Sequence, residues 1–176
     1  VFVGGNHDTS IEKRIYRKYH FQDRGIIYLE NEHVTIDGLK IFGSPVTPKF
    51  GIGWAWNRKR DKIHKTWDMI EEDTDIIISH GPPKSFLDSS VRGTDGEVEL
   101  CGCSNLRSQI VHRLKKVKLV CFGHIHGNSY FDNHGVLFRD GVHYSNASVA
   151  KDGKMGKIYH TGNLFNWDGK NVSIWQ

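Results

Sequence analysis

Cysteine is scarce in this sequence, and its three occurrences exclude a fold built on disulfides. Cys101, Cys103 and Cys121 are an odd set among 176 residues, so they cannot all pair. A chain of this kind is typical of a reducing compartment, and we expect a cytoplasmic location. The Cys101-Gly102-Cys103 spacing is tighter than the usual two-residue gap of zinc sites, and no second cysteine pair exists. We therefore do not expect structural zinc.

Long apolar runs and a strong charge of one sign are missing as well. No run approaches the ~18 apolar residues of a membrane-spanning helix, so we expect no membrane crossing. Lys and Arg total 24 against 20 Asp and Glu, a net charge of +4, which does not call for a nucleic-acid partner. Hydrophobic residues make up 38% and aromatic residues 11%, as in a globular protein with a core. The length predicts one domain over residues 1–176.

The chain also lacks an initial methionine and opens directly on Val1-Phe2-Val3, which resembles a strand. We therefore expect the N-terminal part of the domain to be missing from this sequence. Oligomeric state has no signature in the sequence.

Short β-rich runs followed by glycine or polar turns predict the strands, and amphipathic runs predict the helices. The predicted strands are Val1–Gly4, Gly25–Leu29, Val34–Ile36, Lys40–Phe42, Asp75–Ser79, Lys118–Phe122, Val142–Ser145, Lys157–Tyr159 and Val172–Trp175. The predicted helices are Ile11–Tyr19, Asp61–Glu71 and Ser104–Leu114. Asp37-Gly38 predicts a tight hairpin. Strands alternating with helices and followed by late hairpins indicate an α/β sandwich with mixed sheets.

The sequence has eleven histidines, and three of the predicted strands end in loops that contain histidine. The first loop is Gly5–Asp8, the second is His80–Pro83 and the third is Gly123–Gly127. Ligands of α/β sheets bind at the carboxyl ends of the strands, so we expect the three loops to converge. Imidazole is a common metal ligand, and the amide oxygen of Asn6 suits Mn²⁺ or Fe. A single histidine is more often a surface residue, but the three loops together predict a metal site.

These loops, in this order, resemble the last three motif blocks of the calcineurin-like metallophosphoesterases. The stretches Gly43–Phe50, Trp54–Asn57 and Ser145–Ser148 resemble the metallophosphoesterase-domain-containing subfamily. The resemblance covers residue 1 to about residue 150. It implies a four-layer α/β/β/α sandwich with two mixed β-sheets, here without the first βαβ elements.

The resemblance also implies a role for each matching residue. Asn6, His80 and His124 would ligate one metal, and His126 would ligate the other. His7 would be catalytic, facing a phosphoryl oxygen, and both Asn6 and His7 would contact substrate. Asp8 would serve catalysis by holding His7 in orientation.

The implied reaction is hydrolysis of a small phosphate ester at two divalent metal ions, which would be Mn, Fe or Zn. Phosphodiesters are favoured, with cyclic nucleotides or similar small molecules as substrates. The Asp-x-His and Gly-Asp blocks of the family, which supply three further ligands, do not precede Val1. We therefore expect fewer metals and impaired activity in this chain. The alternative is a truncated or decayed remnant that binds metal or nucleotide without catalysis.

The segment Pro45–Asn57 is rich in aromatic residues and has two interpretations. Phe50, Trp54 and Trp56 form either a hydrophobic lid on the sheet edge or a wall on which a nucleobase stacks. Packing is the favoured interpretation.

Overall fold

The computed structural model describes residues 1–92, 96–150 and 157–175, and those residues form four helices and twelve strands. The helices are α1 (Thr9–Glu12), α2 (Lys18–Gln22), α3 (His64–Trp67) and α4 (Ser104–His112). The strands are β1 (Glu32–Ile36), β2 (Leu39–Ser44), β3 (Thr47–Pro48), β4 (Asn57–Arg58), β5 (Ile76–Ser79), β6 (Ser89–Arg92), β7 (Glu97–Leu100), β8 (Leu119–Phe122), β9 (Gly135–Arg139), β10 (Val142–Asn146), β11 (Phe165–Trp167) and β12 (Val172–Ile174). None of the helices described is long and apolar enough to span a membrane.

A six-stranded mixed sheet with the order β1-β2-β5-β8-β10-β9 forms the centre of the molecule. Its four inner strands are parallel, and β1 and β9 pair antiparallel at the two edges. The pairs β3–β4, β6–β7 and β11–β12 form two-stranded sheets beside it. This arrangement confirms the predicted α/β class with a mixed sheet.

The core lies on the inner strands and under the helices that cover them. Phe42, Ile77 and Val120 come from β2, β5 and β8, and each is fully buried. Trp67 of α3 and Leu106 of α4 belong to the same cluster. Strands covered in this way read as continuous apolar runs, which is why β5 and β8 were predictable from sequence.

The two edge strands are each joined to the neighbouring strand by a hairpin turn with the dipeptide Asp-Gly. Asp37-Gly38 joins β1 to β2, and Asp140-Gly141 joins β9 to β10. All four residues have positive φ, between 49° and 80°. This is the type I′ turn that Asp-Gly favours and that matches the twist of the strands.

The predicted helix Ile11–Tyr19 is wrong as a single helix. The segment divides into α1 and α2, with Arg14 between them at φ 63°, a left-handed conformation that ends a helix. Ile11 is buried, whereas Ile15 and Tyr19 are 64% and 52% exposed. The apolar spacing therefore does not mark one packed face.

Other predicted elements are shorter than expected or differ in type. Val1–Gly4 and Gly25–Leu29 meet only at an isolated bridge between Phe2 and Tyr28. Lys157–Tyr159 forms no strand although it lies among the described residues. The prediction Asp61–Glu71 contracts to α3, which is flanked by turns, whereas Ser104–Leu114 agrees closely with α4.

Candidate metal centre

The second and third loops leave neighbouring parallel strands at the same edge of the sheet. The sheet hydrogen bonding continues into both, since His80 N donates to Ser44 O and Gly123 N donates to His80 O, each at 3.0 Å. The positions of the two loops are therefore fixed by the strands β5 and β8 that carry them.

The first loop brings Asn6 between the two histidines. Asn6 Oδ1 lies 2.8 Å from His80 Nε2 and 3.1 Å from His124 Nδ1. The two imidazole rings are 4.7 Å apart between centroids, and Asn6 is buried. The predicted convergence of these three side chains is present in the structure.

Backbone contacts hold the first loop against His80. Asp8 Oδ2 accepts a hydrogen bond of 2.6 Å from Gly5 N, which closes the loop, and Ala55 N donates to Asn6 O. A Cβ at Gly5 would lie 2.6 Å from His80 Cε1, so only glycine allows this approach. The described bond of the Asp8 carboxylate is to the loop backbone, and its role toward His7 stays a prediction.

Burial keeps both imidazoles of the cluster neutral. Desolvation, together with the neighbouring His7 and His126, lowers the pKa of His80 to about 4. Desolvation and the charges of His80, His126 and His7 lower the pKa of His124 to about 3. Neutral imidazole is the form that binds metals, so both rings are ready for that role at pH 7.

The third loop takes an uncommon backbone conformation at His124, whose φ is 70°. Two buried asparagines donate hydrogen bonds to its carbonyl oxygens. Asn146 Nδ2 donates to Ile125 O at 3.0 Å, and Asn133 Nδ2 donates to His126 O at 2.9 Å.

Aromatic side chains of the segment 45–57 lie in two different environments. Trp56 is 1% exposed and packs in the core, as the packing interpretation expects. Trp54 is 39% exposed, its ring lies 4.8 Å from the His7 ring, and it stacks on Phe50. Phe50 in turn lies 4.9 Å from the ring of His124. Phe50 and Trp54 therefore flank the histidine cluster.

A cavity of about 440 Å³ opens beside the histidines. It is lined by His124 and His126, by Phe50, and by the charged residues Lys49, Arg60 and Glu99. This volume is within the range of small-molecule sites.

Asn6, His80 and His124 fit one divalent ion, because they offer one oxygen and two neutral nitrogen donors at one point. Across residues 1–92, 96–150 and 157–175, no group of three or more His, Cys, Asp or Glu side chains is placed to hold a metal. The donor set therefore depends on the Asn6 amide oxygen.

A family model of calcineurin-like phosphoesterases matches residues 1–128 of the sequence. The chain belongs to this family. The human and mouse proteins named metallophosphoesterase domain-containing protein 1 are each 37% identical to this calcineurin-like phosphoesterase over 124 residues, 70% of this chain and 35% of theirs. A protein of Emericella nidulans, named probable rhamnogalacturonate lyase C, is 36% identical over 138 residues, which are 72% of this chain and 12% of that protein.

A solved crystal structure shares the fold of this calcineurin-like phosphoesterase chain, with a TM-score of 0.56 at 14% identity. The match covers 83% of this chain and 56% of the other. The mammalian relatives are about three times as long as the segment they share with this chain, and the fungal relative is longer still.

The sequence indicates the candidate metal ligands but not the residues that support the third loop or line the cavity. Asn133 is in no recognised motif, and its burial cannot be read from the sequence. Asn146 was visible only as part of the family-like stretch Ser145–Ser148. Arg60, in the basic stretch Arg58-Lys59-Arg60, lines the cavity.

Proposed function

We propose that this domain is a metal-dependent phosphoesterase that hydrolyses phosphodiesters, with cyclic nucleotides or similar small molecules as substrates. The observation that carries the proposal is the Asn6 amide oxygen set between the buried, neutral imidazoles of His80 and His124. Membership of the calcineurin-like phosphoesterase family supports the reaction class. The finer substrate choice rests on resemblance to the subfamily.

Asn6, His80 and His124 would hold one ion, which is Mn, Fe or Zn in this proposal, and His126 would contribute to a second. A divalent cation there would supply positive charge for the phosphoryl oxygens and promote attack by water on phosphorus. The chain itself contributes a site that excludes water on one side, because Asn6 is buried and the Phe50 ring covers His124.

We propose that His7 acts on the departing oxygen. Its ring is held against the half-exposed Trp54, and it is near enough to lower the pKa of both His80 and His124. We propose that it donates a proton, or a hydrogen bond, to the leaving group. The cavity beside His126 would receive the ester group, and the two cations of its charged lining residues, which are Lys49, Arg60 and Glu99, would attract an anionic substrate.

The cellular setting in this proposal is the cytoplasm, with residues 1–176 acting as one domain. The support is the three free cysteines, none of which is paired in the structure.

The test is hydrolysis of a chromogenic phosphodiester, bis(p-nitrophenyl) phosphate, by chelator-treated protein with and without added Mn²⁺. We expect weak activity, and only with metal, and we expect His124→Ala to lower kcat/KM by more than about 100-fold, because one imidazole donor is lost. His112→Ala is the matched control, since His112 is exposed at the end of α4 and away from the cluster.

Equal hydrolysis by metal-free and metal-loaded protein would contradict the proposal. An equal decrease of kcat/KM in His124→Ala and His112→Ala would also contradict it. Metal analysis of the same samples separates the proposal from its alternative, a domain that binds metal or nucleotide without catalysis. One bound ion without hydrolysis would support that alternative.

A further inference from the structure

We propose that Asn133 and Asn146 are positioning residues that hold the third loop in the shape that presents His124 and His126 to the metal. This inference rests on the proposed function for its chemical purpose. It concerns two buried side chains that act through the loop backbone.

The loop needs such support because its backbone is strained. A φ of 70° at His124 places an L-residue in the left-handed region, which costs about 1 kcal/mol or more. Such a conformation persists only where the surroundings fix it. Because side-chain direction follows the backbone, relaxation of φ at His124 would move its Nδ1 away from Asn6.

Asn146 fixes the middle of the loop. Its side chain is fully buried, and Nδ2 donates to both Ile125 O and Leu87 O at 3.0 Å. Its Oδ1 accepts a hydrogen bond from Ser148 N at 2.9 Å, so the amide has partners on both sides. Asn146 thus ties the carbonyl between the two histidines to an adjacent loop and to the end of β10.

Asn133 fixes the end of the loop. It is 2% exposed, and its Nδ2 donates to His126 O at 2.9 Å and to Ser89 O at 2.7 Å. Its Oδ1 accepts from Ser89 N, which anchors the amide to β6. Two successive carbonyls of the loop are therefore held by two independently anchored amides, and rotation of either peptide plane would leave a buried amide hydrogen without a partner.

The experiment compares three alanine variants of the full 176-residue chain: Asn133→Ala, Asn146→Ala and the control Asn163→Ala. Asn163 lies in the same region and also donates to backbone and side-chain oxygens, at Gly135, Ser145 and Asn146. It makes no described bond to the third loop. Each variant is measured for thermal midpoint, for Co²⁺ affinity by visible absorption, and for histidine ring signals by NMR in the metal-free state.

We expect the first two variants to bind Co²⁺ about 10- to 100-fold more weakly, the range seen when the partners of metal ligands are removed. In hydrolysis of the phosphodiester, kcat should fall while KM changes little. The ring signals of His124 and His126 should shift in both variants. The control should lose comparable thermal stability with its Co²⁺ affinity and ring signals unchanged.

Asn133→Ser provides a second route if an alanine variant does not fold. Serine adds no charge to this buried position and lacks the amide hydrogens that His126 O accepts, so Co²⁺ should again bind more weakly than in the wild-type chain. Wild-type Co²⁺ affinity and ring signals in a folded Asn133 or Asn146 variant would overturn the inference. An equal loss of Co²⁺ affinity in Asn163→Ala would also overturn it. If the wild-type chain neither binds Co²⁺ nor hydrolyses the ester, the proposed function fails, and the metal-free ring signals still decide the positioning role.

Discussion

Gly5 shows how a single missing side chain decides the geometry of the histidine cluster. The first loop lies so close to His80 that a methyl group at residue 5 would overlap the imidazole ring. The φ of Gly5 is not in the left-handed region, so alanine is acceptable to the backbone itself. The constraint at this position is therefore the approach of the loop to the ring.

Gly5→Ala should displace the His80 ring and weaken Co²⁺ binding by about tenfold or more, because a proposed metal ligand loses its position. Calorimetric titration of the metal-free protein measures the change. Gly162→Ala is the control, since a Cβ there has no atom within 4 Å and the backbone is not left-handed. Unchanged affinity in Gly5→Ala would show that the first loop can shift without affecting His80.

At the scale of single residues, the sequence indicated the candidate metal ligands but not the side chains that support them through the backbone. The convergence of Asn6, His80 and His124 was predictable because each lies in a loop after a run that the sequence indicates as a strand, whereas their role as metal ligands stays a prediction. Asn133 was not, because its role depends on a carbonyl that only the folded loop brings within 2.9 Å.

Strand β10 places a tyrosine whose ionisation is coupled to folding. Tyr144 is 1% exposed and stacks on Phe86 at 3.8 Å between ring centroids. Burial, with a smaller contribution from the charge of Asp140, raises the pKa of Tyr144 to about 12. The hydroxyl group of an unfolded chain loses its proton near pH 10.

Stability should therefore be complete below pH 10 and fall as the pH rises toward 12, because the unfolded state releases the proton first. The decrease attributable to Tyr144 is about 2 kcal/mol in the free energy of unfolding. Tyr144→Phe keeps the ring and removes the proton, so its unfolding free energy should fall less over this range. Urea titrations of both proteins at pH 9 and pH 11.5 measure the difference, and parallel decreases would refute the coupling.

Elements were predictable when local signals and tertiary packing agree. The β1–β2 hairpin carries Asp37-Gly38, and the structure confirms it. The β9–β10 hairpin carries the same signal at Asp140-Gly141, yet β9 was not predicted, since its apolar alternation is weak. Strand β7 is exposed at every position and has no pattern of burial for a sequence to reveal.

The inner strands of the central sheet are buried, whereas the ribbon β11–β12 lies at the periphery of the molecule. β5 and β8 are flanked by paired strands on both sides, whereas β11 and β12 pair with each other. Leu164 and Trp175, which flank this ribbon, are 64% and 61% exposed.

Amide hydrogen exchange should follow this division. We expect the slowest exchange at Ile77 and Val120, whose amides open only with global unfolding, and exchange at least about 100-fold faster in the ribbon β11–β12. NMR of the protein transferred into deuterated buffer provides the measurement. Equal protection in the ribbon and in β5 would show that the ribbon unfolds together with the central sheet.

The continuation of sheet hydrogen bonding from Ser44 through His80 to Gly123 has a consequence for how such a domain can change over evolutionary time. The spacing of the His80 and His124 rings is set by adjacent strands, so β7, which is exposed at every position, is free to lengthen or shorten. Insertions in β7 would reshape the cavity wall at Glu99 while the spacing of the rings persists. Relatives with different cavities could thus arise through changes in this strand, with the histidine positions inherited unchanged.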